Sequence, residues 1–395
     1  MTESKKEAIV MFPFMAQSHI MPFLALSLQL QQRGFNIILV NSPLNIHKLR
    51  RSIPASSSAA AVRLHELPCN SSDHHGLPPD TENTDALPPQ LVSRFIESSK
   101  SLKPHFASLL SDLVRGGDRP LAVVADIFFG WSAEVAQELD LFHAIFSLSG
   151  GFALACYYST LLNLPHRKTD SPEFSLPDFP EAGKLHVTQL GASIMAADGS
   201  DSWSIFQREN LPAWPPLGFD ITGEFRAEEW LPEGFTERIV ETQNRGLVVS
   251  QWAPQLEILS HESVGAFLTQ CGGNSVLESL SCGVPLIGWP LMAEQFFTAK
   301  LLVEEVGVCL EVARGSSSEV RCEDIVEKIE KAMKGDSEKG MEMRKRAGEV
   351  KEVIRNAVKS DDELKGPSVK AMDDFLDAAL SMKEKAEFGV KVIGF

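Results

Sequence analysis

Residues 8–40 read AIVMFPFMAQSHIMPFLALSLQLQQRGFNIILV, and their pattern sets the fold class. The run 8–14 is nearly unbroken apolar sequence, the mark of a strand buried on both faces of a parallel sheet. A loop through Gln17, Ser18 and His19 follows, and a helix is expected over 22–33, with Pro22 in its first turn and Gly34 as its stop. Residues 35–40 read as a second strand, which completes a βαβ unit. Outward from this unit, apolar runs recur at 61–67, 121–129 and 142–148, separated by helix-length segments such as 133–139. A second series has runs at 247–250, 264–268, 285–289 and 306–312. A charged amphipathic stretch at 322–358 and a terminal helix at 368–386 follow. Residues 70–90 read as a long surface loop, and Ala213-Trp214-Pro215-Pro216-Leu217-Gly218 as a break between the halves. Alternation of this kind predicts an α/β chain of open parallel sheets covered by helices.

The 395 residues suit two domains at about 150 residues each. With 44% apolar and 23% charged residues the composition is that of a globular chain, which excludes disordered and collagen-like classes. The formal charge of -16 repels a phosphate backbone, so no nucleic-acid partner is expected and any phosphate must be held locally by backbone N–H groups. No run reaches the roughly 18 apolar residues of a membrane helix, and the polar N-terminus is unlike a signal segment, so a cytoplasmic protein is expected. Six scattered cysteines without a C-x-x-C pair read as reduced thiols. Asp73-His74-His75 lacks a spaced third ligand and reads as a solvated turn, so no metal site is expected. Ser147-Leu148-Ser149-Gly150-Gly151 is not a G-x-S-x-G elbow, and the charged run 323–351 reads as a solvated helix face.

His19 follows the first strand and Asp126 ends the run Leu121-Ala122-Val123-Val124-Ala125. Ligands of open α/β sheets bind at the carboxyl rim, where both side chains would emerge if the strands are close. A carboxylate on one imidazole nitrogen would orient the ring and stabilise it once protonated, leaving the other nitrogen as a general base. The spacing equally allows a loop histidine and a helix-capping aspartate.

Residues 252–295 read WAPQLEILSHESVGAFLTQCGGNSVLESLSCGVPLIGWPLMAEQ. This stretch resembles the signature box of plant family-1 UDP-glycosyltransferases, which act on small secondary metabolites. The histidine loop, Asp126, the segment FRAEEWLPEGF at 225–235 and the chain after the box to about residue 379 resemble the same family. The resemblance implies a GT-B fold, with two Rossmann-like domains facing across a cleft: an acceptor-binding domain in 1–214, a UDP-sugar-binding domain in 215–380 and a tail in 381–395. It implies transfer of a sugar, with glucose expected, from UDP-glucose to a hydroxyl of a small hydrophobic plant metabolite. The reaction would proceed with inversion and without a metal or other cofactor, with His19 as base assisted by Asp126. A monomer is expected.

The family pattern also implies roles within the box. Trp252 matches the residue that stacks on uracil, an interaction of roughly 1–3 kcal/mol for an aromatic on a base. Ala253 and Gln255 match contacts to base and ribose, and Glu278 the carboxylate that accepts from the ribose hydroxyls. Gly272, Asn274 and Ser275 match the turn and helix start that hold the diphosphate, where small residues let N–H groups approach. Glu294 and Gln295 match the pair that bonds the sugar hydroxyls.

Three departures qualify the resemblance. Where the family has His-Cys-Gly-Trp-Asn-Ser, this chain has Gln270-Cys271-Gly272-Gly273-Asn274-Ser275. Gln270 donates but carries no charge, and Gly273 is expected to leave a space where an aromatic stood. The chain is also shorter than the family between Trp214 and Pro215, so the donor domain is expected to lack its first strands. The apolar stretch EFGVKVIGF at 387–395 extends past the usual last helix. Two readings stand: an active transferase, or a shortened, catalytically impaired member that binds small molecules weakly.

Overall fold

The structure, a computed structural model, describes residues 6–53, 61–69, 76–85, 87–88, 91–210, 249, 253–315, 320–334, 337–360 and 365–387. Trp252, the break at 213–218, the 225–235 segment, most of the 247–250 run, residues 73–75 and the chain past 387 lie outside these residues.

Strands β1 (Ala8–Phe12), β2 (Asn36–Asn41), β3 (Arg63–Glu66), β4 (Pro120–Asp126) and β5 (Phe142–Phe146) form a parallel sheet in the order β3-β2-β1-β4-β5. All seven residues of β4 are buried, as its unbroken apolar run requires. The strand expected over 8–14 stops at Phe12 because Pro13 has no N–H for the ladder, and the next N–H, of Phe14, goes to the Asp126 side chain. The first helix runs Gln17–Gln32, earlier than expected. His19 therefore sits in its first turn, and Pro22 lies in the helix interior instead of that turn.

A small antiparallel pair, β6 (Glu173–Ser175) and β7 (Lys184–His186), precedes the second half. There β8 (Phe267–Thr269), β9 (Leu286–Gly288) and β10 (Cys309–Glu311) form a parallel sheet in the order β10-β9-β8 among the described residues. These strands are shorter than the apolar runs that announce them. Before β10, the residues Leu301–Val306 continue the helix Gln295–Lys300 as a π-helix. The amphipathic stretch at 322–358 divides into helices Cys322–Met333 and Glu338–Ala357.

Aromatic packing fixes the first sheet's rim. Phe12 lies 4.6 Å from Phe106 and 4.3 Å from Phe129, ring centre to ring centre, and Phe14 lies 4.9 Å from Phe128. Each such ring contributes about 1.5–3 kcal/mol by leaving water. The same core takes in Ala293 and Phe297 from the second half. On the opposite face, Ile9, Met11, Leu39 and Val124 pack with Ile20 and Phe23 and with Leu376 and Ala379 of the last helix, Pro367–Glu387. That helix thus returns to the first sheet, tied by Lys383 to Glu7 at 2.6 Å, and it runs to Glu387, close to the helix expected over 368–386 and so into the region 381–395 set apart as a tail. No helix among the described residues is long and apolar enough to cross a membrane.

Candidate active site

Strand order reverses between β1 and β4, which is where an open α/β sheet leaves a crevice at its carboxyl rim. His19 rises from the helix after β1 and Asp126 is the last residue of β4, so neighbouring strands deliver both. His19 Nδ1 lies 2.8 Å from Asp126 Oδ2, and both side chains are fully buried. The carboxylate also accepts from the N–H of Phe14 at 3.1 Å on Oδ2 and of Phe128 at 3.2 Å on Oδ1. An ionised carboxylate only accepts, so Nδ1 carries the hydrogen, and in the neutral form of the ring Nε2 is the nitrogen with the lone pair. Phe14 and Phe128 flank the imidazole at 5.5 Å, holding the ring plane. Of the two readings the spacing allowed, the structure contains the pair. Chemically, the pair can take a proton at Nε2 and hold the resulting imidazolium against Asp126.

The other expected residues that the structure describes belong to the second half, around the sheet β10-β9-β8. Gln255 Nε2 donates to Glu278 Oε2 at 2.9 Å, and Ala253 precedes them with its carbonyl accepting from the Gln255 N–H. Gly272 is the N-cap of the helix Gly273–Cys282, so Gly273, Asn274 and Ser275 form its first turn with N–H groups directed outward. The turn into it is tight: Cys271 takes a φ of 65°. Gln270 Oε1 accepts from the Thr269 hydroxyl at 2.9 Å, which leaves its amide nitrogen over Gly272 as an uncharged donor at the helix start. Gln295 Oε1 accepts from the N–H of Leu291 and Met292 at 3.0 and 3.1 Å, leaving the amide nitrogen as its donor end. Trp252, the expected uracil platform, lies outside the described residues. Among the described residues no group of three His, Cys, Asp or Glu side chains could hold a metal ion.

The two rims meet. Asn274 Nδ2 donates to the Ser18 carbonyl at 3.0 Å, and the Ser149 hydroxyl donates to Glu294 Oε1 at 2.9 Å. Gly273 does not leave the space expected of it. A Cβ there would stand 2.1 Å from the Leu148 carbonyl oxygen, so backbone of the first half fills the position. Two further close approaches line the same seam. A Cβ on Gly315, whose φ is +94°, would fall 1.6 Å from the Thr188 oxygen, and one on Gly191 would fall 3.4 Å from the Ala293 nitrogen.

Glu294 is the unusual ionisable group of this seam. Its Oε2 is buried without a hydrogen-bond partner among the described residues, and burial pushes its carboxyl up to about 7, because the Ser149 hydroxyl and nearby His19 offset the loss of water only in part. Tyr157 and Tyr158 of the helix Gly151–Asn163 also feel its charge. An unfolded glutamate titrates near 4.5, so between that pH and about 7 the folded chain keeps a proton that the unfolded chain releases. The stability this proton gives is complete in acid and is lost as pH rises toward 7. Glu294→Gln is therefore expected to gain about 3 kcal/mol over the parent above pH 7 and nothing at pH 4. Thermal unfolding across that range reads the difference; parallel pH profiles for the two proteins would refute it.

Sequence reasoning missed Ser149, Leu148 and Ser18, which join the site from the first half. The signal available was position: residues 147–151 sit between a parallel strand and the next helix, at the ligand-binding rim. Ser18 acts through its carbonyl, which no residue type announces.

Comparison with known proteins gives one picture. A family model described as UDP-glucoronosyl and UDP-glucosyl transferase matches residues 234–346, and one described as the N-terminal domain of glycosyltransferases matches 5–171. UDP-glycosyltransferase 92A1 of Arabidopsis thaliana is 37% identical, covering 95% of this chain and 97% of its own. That alignment runs over 483 residues, more than the chain possesses, so residues of the relative face a gap here. Crocetin glucosyltransferase 3 of Crocus sativus is 36% identical, over 81% of this chain and 89% of its own. Among solved structures, Glycyrrhiza uralensis UGT73P12, complexed with glycyrrhetinic acid 3-O-monoglucuronide, superposes with a TM-score of 0.82 at 22% identity, covering 98% of each chain. Phytolacca americana UGT2, complexed with UDP-2fluoro-glucose and pterostilbene, gives 0.70 at 22% identity, over 95% of this chain and all of that one.

Proposed function

The chain belongs to the plant family-1 UDP-glycosyltransferases of GT-B fold, and from that premise we propose that it transfers glucose from UDP-glucose to a hydroxyl of a small, hydrophobic plant metabolite. The observation that carries this reading is the His19–Asp126 pair on one rim, with Asn274 and Glu294 of the facing rim bonded to residues beside it. The acceptor is assigned to residues 1–214 and the donor to 215–380, with the last helix returning to the first sheet.

The acceptor hydroxyl gives its proton to His19 Nε2, and Asp126 stabilises the imidazolium through Nδ1–H. The acceptor oxygen attacks the anomeric carbon from the face opposite the diphosphate. The bond from that carbon to the phosphate oxygen breaks, UDP leaves with the electron pair, and the configuration inverts. The N–H groups of Gly273, Asn274 and Ser275 face the leaving diphosphate, and the Gln270 amide stands in for a charged donor. Glu294 and Gln295 take the sugar hydroxyls, Glu278 and Gln255 the ribose, and Ala253 and Trp252 the base. The reading needs no metal, and it includes a cytoplasmic monomer, in keeping with six free thiols.

One observation favours a second reading, a member that binds small molecules without turnover. The Leu148 carbonyl and Ser149 hydroxyl stand against Gly273 and Glu294, the residues assigned to diphosphate and sugar. The assay that separates the readings supplies UDP-glucose, a panel of hydroxylated aromatic acceptors and a metal chelator. Equimolar UDP and glucoside are expected. A folded protein that releases neither would overturn the first reading in favour of the second.

A further inference from the structure

Pro22 lies inside the helix Gln17–Gln32, where proline costs the helix a hydrogen bond. Its ring has no N–H for the carbonyl four residues back, which is Ser18, and it crowds that carbonyl off the helix axis. The Ser18 oxygen is the atom that Asn274 Nδ2 reaches at 3.0 Å from 256 positions away in sequence. Ser18 adjoins His19, and Asn274 lies in the first turn of the helix Gly273–Cys282. An asparagine amide has two N–H hydrogens, so one can hold Ser18 while the other meets a phosphate oxygen at the helix start.

We propose that Pro22 is a positioning residue that frees the Ser18 carbonyl for Asn274 and so couples diphosphate binding to the placement of His19. The inference rests on the reading of Asn274 as a diphosphate ligand. Diphosphate orients the Asn274 amide, the amide fixes the Ser18 peptide, and that peptide leads directly into His19. Occupancy of the donor site thereby sets the base in place before an acceptor hydroxyl arrives. Alanine at position 22 would restore the N–H, draw the Ser18 carbonyl back into the helix ladder and compete with Asn274. Because alanine is the better helix former, Pro22→Ala does not endanger the fold.

The test is calorimetric titration of UDP into the full-length protein, Pro22→Ala, Asn274→Ala and the double variant. Pro22→Ala is expected to weaken UDP binding about five-fold, the worth of one ordinary hydrogen bond. The double variant is expected to bind no more weakly than Asn274→Ala alone, since both changes remove the same link. A purely structural proline would leave UDP affinity unchanged, and independent roles would make the losses multiply; either result overturns the proposal. If the parent protein binds no UDP, the donor-site reading fails, and solution scattering without ligand decides the matter separately. Equal expansion of Pro22→Ala and Asn274→Ala would then support the link, whereas parental dimensions for Pro22→Ala would refute it.

Discussion

Replacing His19 with glutamine is expected to lower the rate of glucoside formation by about 10²- to 10⁴-fold while leaving UDP binding within about two-fold of the parent. Glutamine fills much of the same buried volume and can donate to Asp126, so the rim keeps its three-donor carboxylate. It cannot accept a proton, and transfer is lost at every pH. His19 bonds Asp126 and stands beside Phe14 and Phe128 on the first sheet's rim, whereas the residues assigned to uracil and ribose belong to the second half of the chain, which is why donor binding is expected to be spared. Rates of UDP release with and without acceptor, together with a UDP titration, measure both halves. A variant that keeps a tenth or more of the parental rate would remove His19 from the mechanism.

Gly273→Trp is expected to force the two halves apart. The first atom of any side chain at 273 would stand 2.1 Å from the Leu148 oxygen, and that oxygen belongs to backbone, which cannot swing aside. Overpacking of this kind costs about 1–3 kcal/mol. Parting the seam also strains the Ser149–Glu294 and Asn274–Ser18 bonds nearby. A midpoint lowered by roughly 5 °C and a larger radius of gyration are expected, read by thermal unfolding and solution scattering. From sequence alone the opposite follows, because tryptophan restores the aromatic of the family box. An unchanged midpoint with unchanged dimensions would show that this position holds open space after all.

The first sheet was legible because its strands are buried on both faces and their apolar runs are continuous. Strand ends were less legible, since side chains set them: β1 stops where Pro13 withholds a donor and Asp126 takes the N–H of Phe14. Pro22 was read as a helix start because that is where proline usually sits, whereas here the Asn274 amide, a donor 256 positions from Ser18, supplies the hydrogen bond that Pro22 denies the Ser18 carbonyl. The second sheet's strands have three residues each, too few for a period, so their extents were overestimated. The last helix was legible as a helix, but a helical pattern does not state against which sheet the helix packs. Leu376 and Ala379 in the first sheet's core answer that. His19 and Asp126 could be nominated because one follows a strand across a short loop and the other ends the neighbouring strand. Ser149 and Glu294, 145 positions apart, are joined by the meeting of two rims, which no local pattern encodes.

The account stands on a donor site assembled from both halves of a shortened chain. Its most direct test is thermal unfolding of the purified protein with and without millimolar UDP. One cooperative transition that UDP raises is expected, by about 2.7 kcal/mol of added stability at a hundredfold excess over the dissociation constant. A broad transition indifferent to UDP would contradict the account, because the residues 253–295 would then form no nucleotide site despite their sequence.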